Sequence, residues 1–490
     1  MLMRLKDHKW LALAMSLAFV VVNMALMAKR IYWLNLLPVA LILGWVMLTS
    51  VDKLLLAVAF FTPLSINLEE LDIGGIGVSL PTEPIMVGLM VLFLFKLGME
   101  RGVLDVRVWK HPITLVILAQ LAWMLLCIIP SSMPFVSAKY MLARLWFVVT
   151  MYFMVSRLFE EPRNVHRFMW CYIAGLSIVV CYTLVHHSLF GFEHEPAHWV
   201  MTPFFKDHTS YGAILAFFLP FCIGALTFPS YTPGERSAAL LVFILLAVGL
   251  IFSYTRAVWL SLVGAFGLFL VMRLRVPTWV LAALLVTAGV VYVVEQEQIT
   301  IALERNRDES SDDLGKHVSS ISNISSDASN LERINRWNSA LRMWEERPVF
   351  GWGPGTYMFQ YAPFQASEDR TIISTNFAAG GNAHSEYLGP LSEQGVPGML
   401  LMVMLVGVTL YHAIKLYARM PAGGDRRLIM TTTLGLVTYY LHGMLNNFLD
   451  LDKASVPFWA FTVLIVLIDI RYPRSTGHQV KAVRPDPGIT

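Results

Sequence analysis

Charge is what this chain has least of. Of its 490 residues, 14% are Asp, Glu, Lys or Arg, against about 25% in a typical soluble domain. That shortage excludes a soluble globular protein, which needs charged side chains to cover its surface. Cysteine is scarce too. Cys127, Cys171, Cys181 and Cys222 all lie in apolar segments with no CxxC spacing. They read as small buried hydrophobes, which excludes a disulfide framework and a thiolate metal site. The net charge of +3 is small, and the basic residues are scattered through loops rather than gathered on one face, which excludes a nucleic-acid footprint. No acidic cluster suggests a divalent metal, and no cofactor motif is found. No cleavage pattern follows Arg4, Lys6 and Lys9, so the first apolar run reads as a retained span.

What the chain has is apolar length. Residues 31–51, 112–138, 237–255, 276–294 and 396–414 contain no Asp, Glu, Lys or Arg. Runs of roughly 18 or more such residues cross the hydrocarbon core as helices, because lipid offers the backbone no hydrogen-bond partner. The expectation is an all-α, polytopic helical membrane protein. Candidate spans fall at about 10–28, 32–49, 54–66, 84–98, 112–130, 140–158, 166–189, 211–228, 237–255, 257–272, 276–295, 397–414, 428–447 and 456–470. The third and fourth are short, so 12 to 14 transmembrane helices are expected.

Lys and Arg accumulate in cytoplasmic loops. With both termini cytoplasmic, the inner loops collect Arg101, Arg107, Lys110, Arg157, Arg163, Arg167, Arg419, Arg426 and Arg427, among others. The short outer loops hold Lys29, Arg30, Lys139, Lys206, Arg256 and Lys453, of which the Lys29–Arg30 pair is the poor fit. This gives an N-terminal transmembrane bundle over 1–296, a large helical periplasmic loop over 297–396, C-terminal transmembrane helices over 397–470 and a cytoplasmic tail over 471–490. The segment 306–330 is rich in Ser and Asp and reads as a flexible loop. After it, Leu331, Ile334, Trp337, Leu341 and Trp344 recur at helical spacing. Ser329 with Glu332 forms a capping-box pattern, and Pro348 marks the helix end. FGWGPGT follows as a glycine-rich turn.

Ionisable groups near the outer face are the candidates for chemistry. Arg256, in SYTRAVW between two apolar spans, reads either as a snorkelling interface residue or as an anion clamp whose planar fork suits phosphate. Arg333 and Arg336 carry the same two readings. Arg144 lies about one turn inside its span, where a charge faces a polar cavity. His384, in NAHSEYLGPLSEQG, precedes a short helical stretch that Gly395 stops before Pro397 opens the next span. A lone histidine is more often structural than catalytic, but imidazole is the side chain best suited to accept a proton near neutral pH. Asp207, His208, Asp450 and Asp452 are also outer-facing, in spacings that match no metal loop.

These segments resemble, in order, the bacterial O-antigen ligase and O-antigen polymerase superfamily, membrane glycosyltransferases of the type C class. SYTRAVWLSL resembles its Ser-x-x-Arg segment through Ser253 and Arg256. RINRWNSALRMWEERPVFGWGPGTY resembles its Arg-x-x-x-Trp helix and Pro-x-x-Gly-x-Gly turn through Arg333, Trp337, Pro348, Gly351 and Gly353. HSEYLGPLSEQG resembles its histidine segment through His384, Leu388 and Gly395. The resemblance covers about 210–450, and the insert before Arg333 is longer than the family requires. It implies transfer, without metal, of a glycan from an undecaprenyl-diphosphate donor to an acceptor hydroxyl, at the periplasmic face of the bacterial inner membrane. Arg256 and Arg333, with Arg336 as the alternative to Arg333, would hold the diphosphate beside Arg144, and His384 would be the catalytic base. The reading taken is a ligase acting on lipid A–core, with an O-antigen or exopolysaccharide polymerase as alternative. A transporter of an anionic solute or lipid is the alternative of another class. It predicts internal repeats and midplane charges, and the sequence displays neither.

Overall fold

The computed structural model describes residues 2–30, 33–68, 77–100, 102–276, 328–367, 369–370, 374 and 381–473. The chain is a bundle of helices: α1 (Leu2–Ala28), α2 (Leu36–Thr49), α3 (Val51–Phe61), α4 (Thr82–Met99), α5 (Pro112–Ile128), α6 (Pro134–Leu158), α7 (Pro162–Ser188), α8 (His208–Ala225), α9 (Pro233–Ile251), α10 (Arg256–Leu274), α11 (Ala328–Glu346), α12 (Leu388–Arg419), α13 (Gly424–His442) and α14 (Asp452–Arg471). Eight helices among the described residues are long and apolar enough to cross a membrane: α4, α6, α7, α8, α9, α10, α12 and α14. The protein is a polytopic helical membrane protein. The expected span 54–66 is the short helix α3, whose 11 residues reach only about 16 Å. The expected span 276–295 lies almost wholly outside the described residues.

Local sequence sets the helix starts. Pro112, Pro134, Pro162 and Pro233 open α5, α6, α7 and α9, where a missing N–H costs nothing. Thr232 and Glu235 close a reciprocal capping box on α9. Asp207 caps α8, accepting from the Ser210 N–H at 2.7 Å. Packing then sorts the helices. α8 and α14 bury 83% of their apolar stretch within the protein, whereas α9 and α10 bury only 22% and present most of their apolar surface outward. α8 and α10 both pack on α13, and α5 packs on α12. At one end of the bundle the α9–α10 connection bonds the α7–α8 connection, and the α13–α14 connection bonds the loop that enters α12. At the other end Pro162, Phe228, Gly423 and Tyr472 line one cleft.

The segment 347–356 is fastened to a break in α12. Gly395 has φ +68, inside an otherwise continuous helix. The Val396 N–H donates to the Pro348 carbonyl at 2.9 Å, and the Trp352 and Gly353 N–H groups donate to the Ser392 and Glu393 carbonyls at 3.0 and 2.8 Å. The glycines are required by this embrace. A Cβ on Gly351, at φ +65, would sit 2.2 Å from the Glu393 carbonyl carbon, and one on Gly395 would sit 2.1 Å from the Val349 oxygen. The sequence expectation of a helix stop at Gly395 and a glycine turn after Pro348 is what the fold displays.

Candidate active site

α11 lies over the bundle end and packs on α12. Its buried face differs from the expected one. Glu332, Asn335, Arg336, Ser339, Ala340 and Met343 are buried, whereas Leu331, Ile334, Trp337 and Trp344 are half-buried and Leu341 is exposed. The polar face is buried because hydrogen bonds satisfy it. Arg336 Nε donates to Glu332 Oε1 at 2.7 Å, Asn335 Nδ2 to Gln365 Oε1 at 2.8 Å, and the Tyr357 hydroxyl to the Arg336 carbonyl at 2.8 Å. Ser374 also donates to Glu332. Burial works to raise the Glu332 pKa, but the hydrogen bonds from Ser374 and Arg336 outweigh it and hold the carboxyl below its ordinary value. The expected capping box rests on the Ser329 side chain, which lies outside the described residues; Glu332 pairs with Arg336.

His384 stands where the loop enters α12. Its backbone is left-handed, φ +47, a conformation that costs a non-glycine residue on the order of 1–3 kcal/mol unless its surroundings enforce it. The His384 N–H donates to Asn382 Oδ1 at 3.1 Å, and its carbonyl accepts from Trp337 Nε1 at 3.3 Å. Burial, with the charges of Arg333 and Arg336, pushes the imidazole pKa down to about 4. The side chain is therefore neutral near pH 7, with a lone pair available on the ring.

The Arg333 charge also acts on His208 and His442, and that of Asp207 on His384 and His442. His384, Arg333, Asp207, His208 and His442 thus share one electrostatic neighbourhood. Asn446, on the turn after α13, bonds His442 Nε2 at 3.1 Å and faces the His384 side chain. Arg256 opens α10 beside this group. The preceding Thr255 hydroxyl donates to the His208 carbonyl at 2.8 Å, and the Tyr254 ring lies 5.0 Å from His194.

The other two sequence candidates are each paired with a carboxylate. Arg336 is buried against Glu332, with its guanidinium 4.4 Å above the Tyr361 ring. It occupies space that only a glycine at 381 leaves, since a Cβ there would meet its Nη1 at 1.3 Å. Arg144 pairs with Asp450 Oδ1 at 3.1 Å and also donates to the Tyr140 hydroxyl and the Leu449 carbonyl. Sequence reasoning gave His442, Asn446 and Glu386 no role, although an ionisable residue at a span end is a signal in itself.

At the opposite end, His111, His412 and Asp469 bring three metal-capable atoms within 4.8 Å of one another. Their geometry is that of a hydrogen-bonded clamp. His111 Nδ1 accepts the Ile113 N–H at 3.3 Å, which leaves Nε2 to carry the proton and donate to Asp469 Oδ2 at 3.1 Å. His412 Nδ1 meets the same oxygen at 2.8 Å, and Arg419 takes the other.

No curated protein matches the chain. Residues 241–403 match the family model described as O-antigen ligase, a stretch that runs from α9 into α12 and includes Arg256, Arg333, Arg336 and His384. The chain carries a domain of the O-antigen ligase superfamily.

Proposed function

We propose that this protein is a glycosyltransferase that moves a glycan from an undecaprenyl-diphosphate donor to an acceptor hydroxyl. In this reading it is an O-antigen ligase acting on lipid A–core at the periplasmic face of the bacterial inner membrane. The observation that carries the reading is the meeting of His384 and Arg333, from two separated parts of the family-matched segment, in one neighbourhood at one end of a membrane bundle. His384 removes the proton as the acceptor oxygen attacks the anomeric carbon. The bond from that carbon to the donor phosphate breaks, and its electron pair leaves on the diphosphate. Arg256 and Arg333 stabilise the charge that develops there, where preorganised donors act most strongly. Arg336 and Arg144, each already paired with a carboxylate, support the site rather than clamp the leaving group.

The charges explain the protonation state required. Burial, with the charges of Arg333 and Arg336, keeps His384 neutral. When the diphosphate neutralises Arg333, the imidazole becomes a stronger base at the moment the acceptor needs one. The test is a reconstituted reaction in nanodiscs containing EDTA, with an undecaprenyl-diphosphate-linked oligosaccharide and lipid A–core. A single transfer to lipid A–core is expected. A ladder formed from donor alone would make the protein a polymerase, and loss of turnover in EDTA would end the metal-free mechanism.

A further inference from the structure

Glu386 sits two residues after His384 and belongs to none of the roles assigned so far. It is buried. Its Oε1 accepts three hydrogen bonds: from the Tyr439 hydroxyl at 2.5 Å, the Phe448 N–H at 2.7 Å and the Leu449 N–H at 2.9 Å. Its own N–H donates to the Gly443 carbonyl at 2.8 Å, and a Cβ on Gly443 would come within 3.1 Å of the Glu386 Cγ. The turn 443–449 is therefore wrapped around one side chain of the His384 loop. That turn lies beyond the family-matched residues 241–403. It carries Asn446, and it follows His442, the last residue of α13.

The left-handed backbone at His384 makes this contact consequential. Strain of that kind persists only where the surroundings over-determine it, and the Glu386 clasp, with three bonds on one oxygen, adjoins it. We infer that Glu386 is a positioning residue, which holds the 442–449 turn against His384 and thereby fixes the imidazole toward the reacting atoms. The inference rests on the reading of His384 as the base. All three bonds fall on one oxygen, Oε1, as acceptor, so what the clasp needs is an acceptor oxygen at that position. Glutamine keeps that oxygen and alanine does not.

The experiment compares Glu386→Ala and Glu386→Gln with the parent protein in nanodiscs, with amide hydrogen exchange measured alongside kinetics. In Glu386→Ala the Phe448 and Leu449 amides should exchange faster. Turnover should fall on the order of a hundredfold, the scale of a misplacement of about 1 Å, with donor KM changed less than about threefold because substrate binding is untouched. Glu386→Gln should restore both the amide protection and most of kcat. Released amides with unchanged kcat would overturn the positioning role. So would a Gln variant that keeps the protection yet stays as slow as the Ala variant. A fully active His384→Ala protein would instead remove the base itself, a separable failure. Should the Ala variant not fold, Tyr439→Phe removes one of the three donors and should give a smaller loss in the same direction.

Discussion

Glu332 and Arg336 form a buried ion pair one helical turn apart, Nε to Oε1 2.7 Å, with side chains 7% and 8% exposed. This pair separates two arginines that the sequence places on equal terms. Arg336 is paired with Glu332 and acts on His384 alone of the three histidines named with Arg333, while the charge of Arg333 reaches His384, His208 and His442. Arg336→Ala strands a buried carboxylate and should cost stability, roughly 3–5 kcal/mol for breaking such a pair, seen as a lower thermal midpoint in detergent. Arg333→Lys should leave the midpoint unchanged and lose most turnover, because a point charge lacks the bidentate fork. The reverse pattern would exchange their roles. Arg256→Lys should behave like Arg333→Lys.

The pH dependence follows from the direction of the His384 shift. Burial and the two arginines lower its pKa to about 4, so the free enzyme holds a neutral base at every pH above that value. The acid limb of kcat/KM, which reports the free enzyme, should therefore fall near pH 4 rather than near the ordinary 6.5 of histidine. The limb of kcat, which reports the donor complex, should lie higher, because the bound diphosphate offsets Arg333. Residual turnover of Arg333→Gln should show a kcat/KM limb displaced upward. An unmoved limb would mean that Arg333 does not face the base.

Much of this was legible in the chain, and the rest shows what sequence cannot weigh. The spans, the break at Gly395 and the turn after Pro348 follow from apolar length and from backbone conformations that only glycine adopts without strain. The buried face of α11 was not legible. Periodicity ranks Ile334 and Trp337 inward, but Glu332, Asn335 and Arg336 are the buried ones because Gln365, Ser374 and Tyr357 satisfy them from a distant part of the chain. Arg333 and Arg336 were indistinguishable for the same reason, since their partners are set by tertiary contacts. The role of 442–449 was hidden as well, since nothing local joins Phe448 to Glu386.

Gly395→Ala tests the fastening of the turn to the broken helix. The backbone there, φ +68 and ψ −169, is a conformation essentially confined to glycine and costs an alanine on the order of 1–3 kcal/mol, and its Cβ would meet backbone atoms of Pro348 and Val349 at 2.1 to 2.6 Å, which flexible side chains cannot relieve. The variant should lose more stability than Gly407→Ala, where a Cβ meets nothing within 4 Å. Equal thermal midpoints for the two variants would mean that the turn is not fastened there.

The clamp at the far end gives the complementary test. Asp469 accepts from His111, His412 and Arg419 at once and so ties α5, α12 and α14 together. The His111 tautomer is set by the Ile113 N–H, so a metal would have to displace a proton that the helix start holds in place. Added Zn²⁺ should leave the thermal midpoint unchanged, where a bound ion would raise it by mass action. Asp469→Ala leaves the partly buried Arg419 without its carboxylate and should cost about 3 kcal/mol of stability, the low end for such a break, seen as a lower thermal midpoint. Turnover of the folded fraction should stay within about twofold, since sites without shared partners act independently. A large fall in turnover at unchanged stability would instead show that α12 carries a signal from this clamp to His384.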